Sequence, residues 1–370
     1  MPDNNNSRFG AEPPYRHGQG CRVGILYCNL GTPDSPAKGD VRRYLAEFLS
    51  DHRVVEIPRL LWWFILNGVI LRFRPAASAA KYASIWTAEG SPLLVWTRKQ
   101  ATALEQSLQA SGQQVTVRHA MRYGRDSISE ALDTFKAEGV NRVLVLTAYP
   151  QYSGTTTASV FDAVYAWAQH TRSIPELRFV NRYHDHTAYI DALARSIRQR
   201  WEVTGKPDRL LMSFHGVPER TLLLGDPYHC ECQKTGRLLA QALGLRPSEW
   251  GLSFQSRLGR AKWLEPYTEP TLIQWAQTGV RKVHVVCPGF TADCLETLEE
   301  IAIEGRHAFL QAGGTEFHYL PCLNDDPGWI TALHSIAQQH LQGWPTAVST
   351  AIDEEAQATR QRALALGAKD

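Results

Sequence analysis

The sequence contains no apolar run long enough to cross a membrane. Its longest, Leu60 to Leu71, holds 12 residues including Asn67 and Gly68, against the roughly 20 that a spanning helix needs. Met1 to Gly20 is polar, carries Pro13, Pro14 and Gly18 and has no apolar core, so it does not read as a secretory signal. An excess of charge is also lacking. Lys and Arg number 39 against 37 Asp and Glu, a net of +2, which argues against a dedicated nucleic-acid binder. With 44% hydrophobic and 21% charged residues, the chain does not have the composition of a disordered protein. No G-x-G-x-x-G follows the first strand candidate, no G-x-x-x-x-G-K-[ST] occurs anywhere, and no G-x-S-x-G elbow is found. A dinucleotide enzyme, a P-loop enzyme and an α/β-hydrolase are therefore poor readings. Cysteines are few and odd in number: Cys21, Cys28, Cys230, Cys232, Cys287, Cys294 and Cys322. Reduced thiols and a cytoplasmic location are the expectation.

What is present is 370 residues, enough for two or three domains at about 150 each, and an unusual 11 tryptophans, with Trp62 and Trp63 adjacent. Short β-branched runs alternate with amphipathic stretches. In the first half the strand candidates are Val23 to Asn29, Arg53 to Ile57, Val115 to His119 and Val143 to Thr147. In the second they are Leu177 to Asn181, Arg209 to Phe214, Leu252 to Gln255, Val283 to Cys287 and Glu316 to Leu320. Helices are predicted between them, among them Pro58 to Leu71, Leu94 to Ser111, Thr187 to Val203, Tyr228 to Leu243 and Leu295 to Gln311. The alternation predicts an α/β protein of two Rossmann-like lobes, each a parallel sheet flanked by helices. The expected division is a disordered leader (1–20), an N-terminal lobe (21–174), a C-terminal lobe (175–326), a helix returning to the first lobe (327–344) and a tail (345–370).

Ligands of open parallel sheets bind beyond the carboxyl ends of the strands, so the chemistry is sought there. His215 directly follows the apolar strand Leu-Leu-Met-Ser-Phe, a titratable group at a strand mouth suited to accept a proton or bind a metal. Cys287 to Glu300 is a second strand end leading into a helix. Asp293 and Glu296 there match an N-cap and its reciprocal partner, while Glu296, Glu300 and Glu304 at i, i+4 and i+8 would form a like-charged ridge. Such a ridge is either a solvated acidic face or a holder of a hard cation. In the third segment, Tyr149 to Thr157, small hydroxyl residues open a helix; they fit either an anion site or turn and capping chemistry.

Together these segments resemble the ferrochelatase family, from Val23 to Gln342 and in order throughout. The resemblance rests on Leu26-Tyr27-Cys28-Asn29-Leu30-Gly31-Thr32-Pro33, Trp86 with Gly90-Ser91-Pro92-Leu93, Tyr149-Pro150-Gln151-Tyr152-Ser153, Ser213-Phe214-His215-Gly216-Val217-Pro218, Gly225-Asp226-Pro227-Tyr228, Trp263-Leu264-Glu265-Pro266 and Cys287-Pro288-Gly289-Phe290 onward to Glu300. It implies a chelatase fold with a porphyrin in the cleft between lobes, and insertion of Fe²⁺ into protoporphyrin IX in the last step of haem synthesis. On the family's pattern His215 and Glu296 are iron ligands and proton acceptors. Glu300 and Asp293 match an acidic path for metal or protons. Trp263, Tyr152 and Ser91 fall near the tetrapyrrole. Some members have histidine where this chain has Cys294, so no imidazole relay is expected at that position.

Leu60 to Leu71, with Trp62 and Trp63 and flanked by Arg59, Arg72 and Arg74, is a candidate apolar lip over the cleft and a candidate peripheral contact with the inner membrane. Some ferrochelatases carry a [2Fe-2S] cluster. The Cys-x-Cys at Cys230 and Cys232 is too weak a signal to expect one here. The alternatives are a coproporphyrin ferrochelatase, another tetrapyrrole chelatase, or, in a different class, a non-catalytic carrier of tetrapyrrole or metal.

Overall fold

The computed structural model describes residues 9–257, 259, 261–347 and 350–369. Two four-stranded parallel sheets form the two lobes. The first comprises β1 (Val23–Thr32), β2 (Val115–Gly124), β3 (Arg142–Thr147) and β4 (Glu176–Val180) in the order β2-β1-β3-β4. The second comprises β5 (Arg209–His215), β6 (Trp250–Gln255), β7 (Lys282–Val286) and β8 (Glu316–Tyr319) in the order β6-β5-β7-β8. The strand order is the same in both. β1 and β5 are buried almost end to end, as central strands covered by helices on both faces must be. In each sheet the order reverses beside the first strand, so the crevices open at the ends of β1 and β3 and of β5 and β7.

Four expectations change. Leu177 to Asn181 lies in the first sheet: β4 pairs with β3 from Arg142↔Glu176 to Leu146↔Val180, so a division at 174 would cut a strand from its sheet. Arg53 to Ile57 is not a strand. Asp51 accepts the N–H of Arg53 on its side chain at 2.7 Å and those of Val54 and Val55 on its carbonyl, which turns the chain, and Val54, Val55 and Ile57 instead pack under the lip. The leader is tied down from Phe9 onward. Glu12 accepts the N–H of Arg172 at 2.7 Å and pairs with Lys136. The lip helix also runs well past Leu71. It comprises Arg59–Ile65, a π-helical stretch Leu66–Ile70 and Leu71–Ile85 with Pro75 inside. Pro75 brings no N–H to the carbonyl of Leu71 four residues back. Arg42 Nε, at 3.3 Å, donates to that carbonyl instead, and the helix continues.

Helix Pro327–Leu341 packs on Pro92–Ala110 and β3 of the first lobe and on Thr187–Thr204. Behind the crevices the lobes are joined by directed bonds. Gln100 Nε2 donates to the carbonyls of Thr291 and Asn324, each at 2.7 Å, while its Oε1 accepts from Tyr27 OH at 2.8 Å.

Candidate active site

His215 is the last residue of β5 and half-buried. Its Nδ1 lies 2.6 Å from the carbonyl of Gly216. A carbonyl only accepts, so the neutral ring carries its proton on Nδ1 and leaves a lone pair on Nε2. Tyr228 OH donates to the His215 carbonyl at 3.0 Å. Gly216 donates its N–H to the carbonyl of Gln255 at 2.7 Å. A Cβ there would stand 2.7 Å from that oxygen and 3.2 Å from Trp263 Cε3, so the bare backbone is what allows the indole to lie against the turn that follows the histidine. Trp263 thus belongs to the His215 turn, and a bridge between Pro218 and Trp263 fixes it there.

The acidic segment is not an ordinary helix. Glu296–Gly305 is π-helical, a form frequent at functional sites. Its i→i+5 spacing redistributes the carboxylates. Glu299 and Glu304, five apart, share Lys81 Nζ of the lip helix at 2.9 Å each. Glu304 therefore leaves the ridge expected with Glu296 and Glu300, and the Lys81–Glu299 partnership is one that sequence reasoning missed. Glu300 turns toward the end of β6 in its own lobe, where it accepts from Ser256 N at 2.6 Å and from Ser256 Oγ. Ser256 has φ +64°, a conformation rare for a residue with a Cβ, and it presents both donors to one carboxylate. Burial is the main cause that raises Glu300 above the usual carboxylate range; the charge of Glu296 adds to it, and Ser256 and His215 oppose it. Glu296 also stands near the phenols of Tyr44 and Tyr82 from the first lobe, whose ionisation is pushed up chiefly by burial, with this carboxylate adding to it. Gln255 joins the two halves of the site: its carbonyl holds Gly216 and its Nε2 donates to the carbonyl of Glu296 at 2.8 Å.

Asp293 is placed differently. Its Oδ1 accepts from Tyr319 OH at 2.5 Å, Cys322 N at 3.2 Å and Thr297 Oγ1 at 3.3 Å, and its Oδ2 accepts from Asn324 Nδ2 at 2.7 Å. It fastens the start of the acidic helix to the loop after β8. The expected capping pair with Glu296 does not form, because the N–H of Asp293 goes to Asn324 Oδ1 at 2.9 Å.

Of the remaining expected residues, Ser91 is buried at the mouth of β1, its hydroxyl 2.8 Å from Thr32 Oγ1. Tyr152 is half-buried at the end of β3. The adjacent tryptophans part company. Trp62 is 7% exposed and its indole N–H donates to the Leu49 carbonyl at 2.6 Å; it anchors the lip helix in a core of Leu49, Leu66 and Leu71. Trp63 is 58% exposed and packs edge-on against Phe64. The two adjacent indoles of the lip thus face opposite ways, Trp62 into the core and Trp63 outward. Cys230 is exposed, burial pushes the thiols of Cys232, Cys287, Cys294 and Cys322 up, and no three His, Cys, Asp or Glu side chains among the described residues could together hold a metal ion.

Two lobes of one strand order, with a histidine and carboxylates at the switch points, define the chelatase class of fold. SirB from Bacillus subtilis with Fe3+ shares it at a TM-score of 0.52 and 11% identity, covering 87% of this chain and 96% of that one. Within that class, the ferrochelatase family model matches residues 22–341. A ferrochelatase of Polaromonas sp. is 62% identical over 365 residues, covering 97% of this chain and 99% of the relative. One of Methylibium petroleiphilum is 64% identical over 363 residues, covering 98% and 99%. The chain belongs to the ferrochelatase family.

Proposed function

We infer that the chain is a lyase of haem synthesis that inserts Fe²⁺ into protoporphyrin IX, releasing two protons to give protohaem. The observation that supports this best is a histidine that keeps a free Nε2 lone pair beside two carboxylates: the Glu300 carboxyl feels the charges of both His215 and Glu296. Insertion needs a base on one face of the ring for two pyrrole protons and a donor that delivers the metal. In this reading His215 Nε2 takes the ring protons, Glu296 receives the iron, and Glu300, held above the usual carboxylate range by burial, passes protons onward. Asp293, with its oxygens bonded to neighbours, supports the path by fixing where the acidic helix begins. Ser91, Tyr152 and Trp263 border the ring. A carrier without catalysis would have no use for a base opposite a carboxylate.

Anaerobic incubation with Fe²⁺ and protoporphyrin IX or coproporphyrin, followed by metalloporphyrin absorbance, tests the reading. Protoporphyrin is the expected substrate; turnover of coproporphyrin alone would replace it. His215→Ala and Glu296→Gln are each expected to cut insertion by about 10²- to 10⁴-fold, the range of a general acid–base group, while still binding porphyrin. Wild-type rates in both variants would refute the assignment.

Among the described residues no helix is long and apolar enough to cross a membrane. Leu60, Leu61, Trp63, Phe64, Val69 and Phe73 are exposed on the lip, and Arg59, Arg72 and Arg74 flank them. This supports a cytoplasmic enzyme that touches the inner membrane peripherally, its lip dipping among anionic head groups.

A further inference from the structure

The two walls of the crevice are fastened to each other by carboxylates of the chain itself. Gly225 to Tyr228 leads into helix Tyr228–Leu243. Asp226 gives Oδ1 to the N–H of Tyr228 at 3.0 Å. Its Oδ2 accepts from the N–H of Gly154 at 2.7 Å and the hydroxyl of Ser153 at 3.2 Å. Further along the helix Glu231, 4% exposed, takes the N–H of Tyr152 on Oε2 at 2.7 Å and pairs with Arg182 through Oε1. Arg182 in turn lies over the Tyr152 ring at 5.4 Å, and His184 Nδ1 stands 3.3 Å from Oε2. Beside them Gln151 Nε2 donates to Thr235 Oγ1 at 3.0 Å.

The segment leading into helix Thr157–Ala168, legible from sequence as a candidate anion site, is thus met at Tyr152 to Gly154 by internal anions: Asp226 and Glu231 of the opposite lobe. Carboxylates taken wholly or partly out of water, as Glu231 and Asp226 are, are a poor device for stability alone, and their best-attested use is to fix register. Here they hold three consecutive residues of the first-lobe wall, Tyr152 to Gly154. The same turn reaches His215 through Tyr228 OH. Gly154 fits this close approach, since a Cβ on it would stand 3.3 Å from Asp226 Oδ2.

We propose that Asp226 and Glu231 are positioning residues for the reaction: they set the distance between the Tyr152 wall and His215, and so the width of the slot that receives the porphyrin. This rests on the reading of Tyr152 as part of the porphyrin wall. Asp226→Asn and Glu231→Gln keep the shape and remove the charge. In each, porphyrin KM, and porphyrin Kd read from quenching of tryptophan fluorescence, are expected to rise about five- to tenfold, with kcat within about twofold and iron KM unchanged. Gly154→Ala, whose methyl leans on Asp226 from the other side, gives the same split at smaller size. Folded D226N and E231Q proteins whose porphyrin Kd stays within about twofold of the parent overturn the proposal, as does a loss of kcat with porphyrin affinity intact. Tyr152→Ala separates the two layers. Unchanged porphyrin Kd in that variant removes the wall reading, and the inference with it. Weakened binding there, beside unaltered D226N and E231Q, removes only the fastening.

Discussion

His215 and His284 stand on neighbouring strands of one sheet in opposite surroundings. His284 on β7 is fully buried, accepts the Trp201 indole N–H on Nδ1 at 3.1 Å and lies 4.8 Å, centroid to centroid, from His318 on β8. Burial is the first cause that lowers its pKa to about 4; His318 and Lys282 add to this and Glu316 opposes it. The unfolded chain binds a proton at this residue from about pH 6.5 downward, whereas the native chain binds it only near 4. Its contribution to stability is therefore complete above pH 6.5 and is lost as pH falls from there toward 4, by up to about 3 kcal/mol. Urea unfolding at pH 7 and pH 4.5 checks this, and His284→Asn, which keeps an acceptor for Trp201, is expected to flatten the dependence. Position on a strand told His215 from the other histidines, because a strand's carboxyl end is visible in sequence. What separates Trp62 from Trp63 is not visible there, since it depends on which side of one helix meets Leu49.

At the scale of elements, the lip and the acidic helix show where periodicity misleads. The predicted lip helix stops where the apolar run stops, at Leu71; the donor from Arg42 that lets the helix continue past Pro75 lies 29 residues away from the carbonyl it meets. Likewise the i, i+4, i+8 ridge presumes α-helical spacing. The π form pairs Glu299 with Glu304 across Lys81, and nothing local marks an i→i+5 register. The lip's two faces make opposite predictions for adjacent residues. Trp62→Ala empties a core site and is expected to cost about 3–5 kcal/mol in urea unfolding. Trp63→Asp should leave stability within about 0.5 kcal/mol of the parent but reduce co-sedimentation with anionic vesicles. No vesicle binding by the parent chain, or no loss on Trp63→Asp, would remove the membrane contact.

The whole molecule was legible as two parallel-sheet lobes, since alternating strands and helices leave few other architectures. The misplaced β4 shows what alternation cannot convey: a strand's sheet is chosen by its partner, here β3, and not by its neighbour in sequence. The bonds across the lobes predict that they unfold together. Gln100→Leu leaves two carbonyls and the Tyr27 hydroxyl without their partner and is expected to cost about 2–4 kcal/mol, with a single transition by fluorescence and circular dichroism in both proteins. Helix Pro327–Leu341 brings Trp329, fully buried, against the rings of Tyr183 and Tyr189 at 6.1 and 5.9 Å. A chain made from its amino end must therefore finish the second lobe before the first receives its last helix. Until then a growing polypeptide displays the bare Tyr183–Tyr189 face, which makes the interval between synthesis of residue 190 and residue 341 the period when a chaperone would be most useful to it.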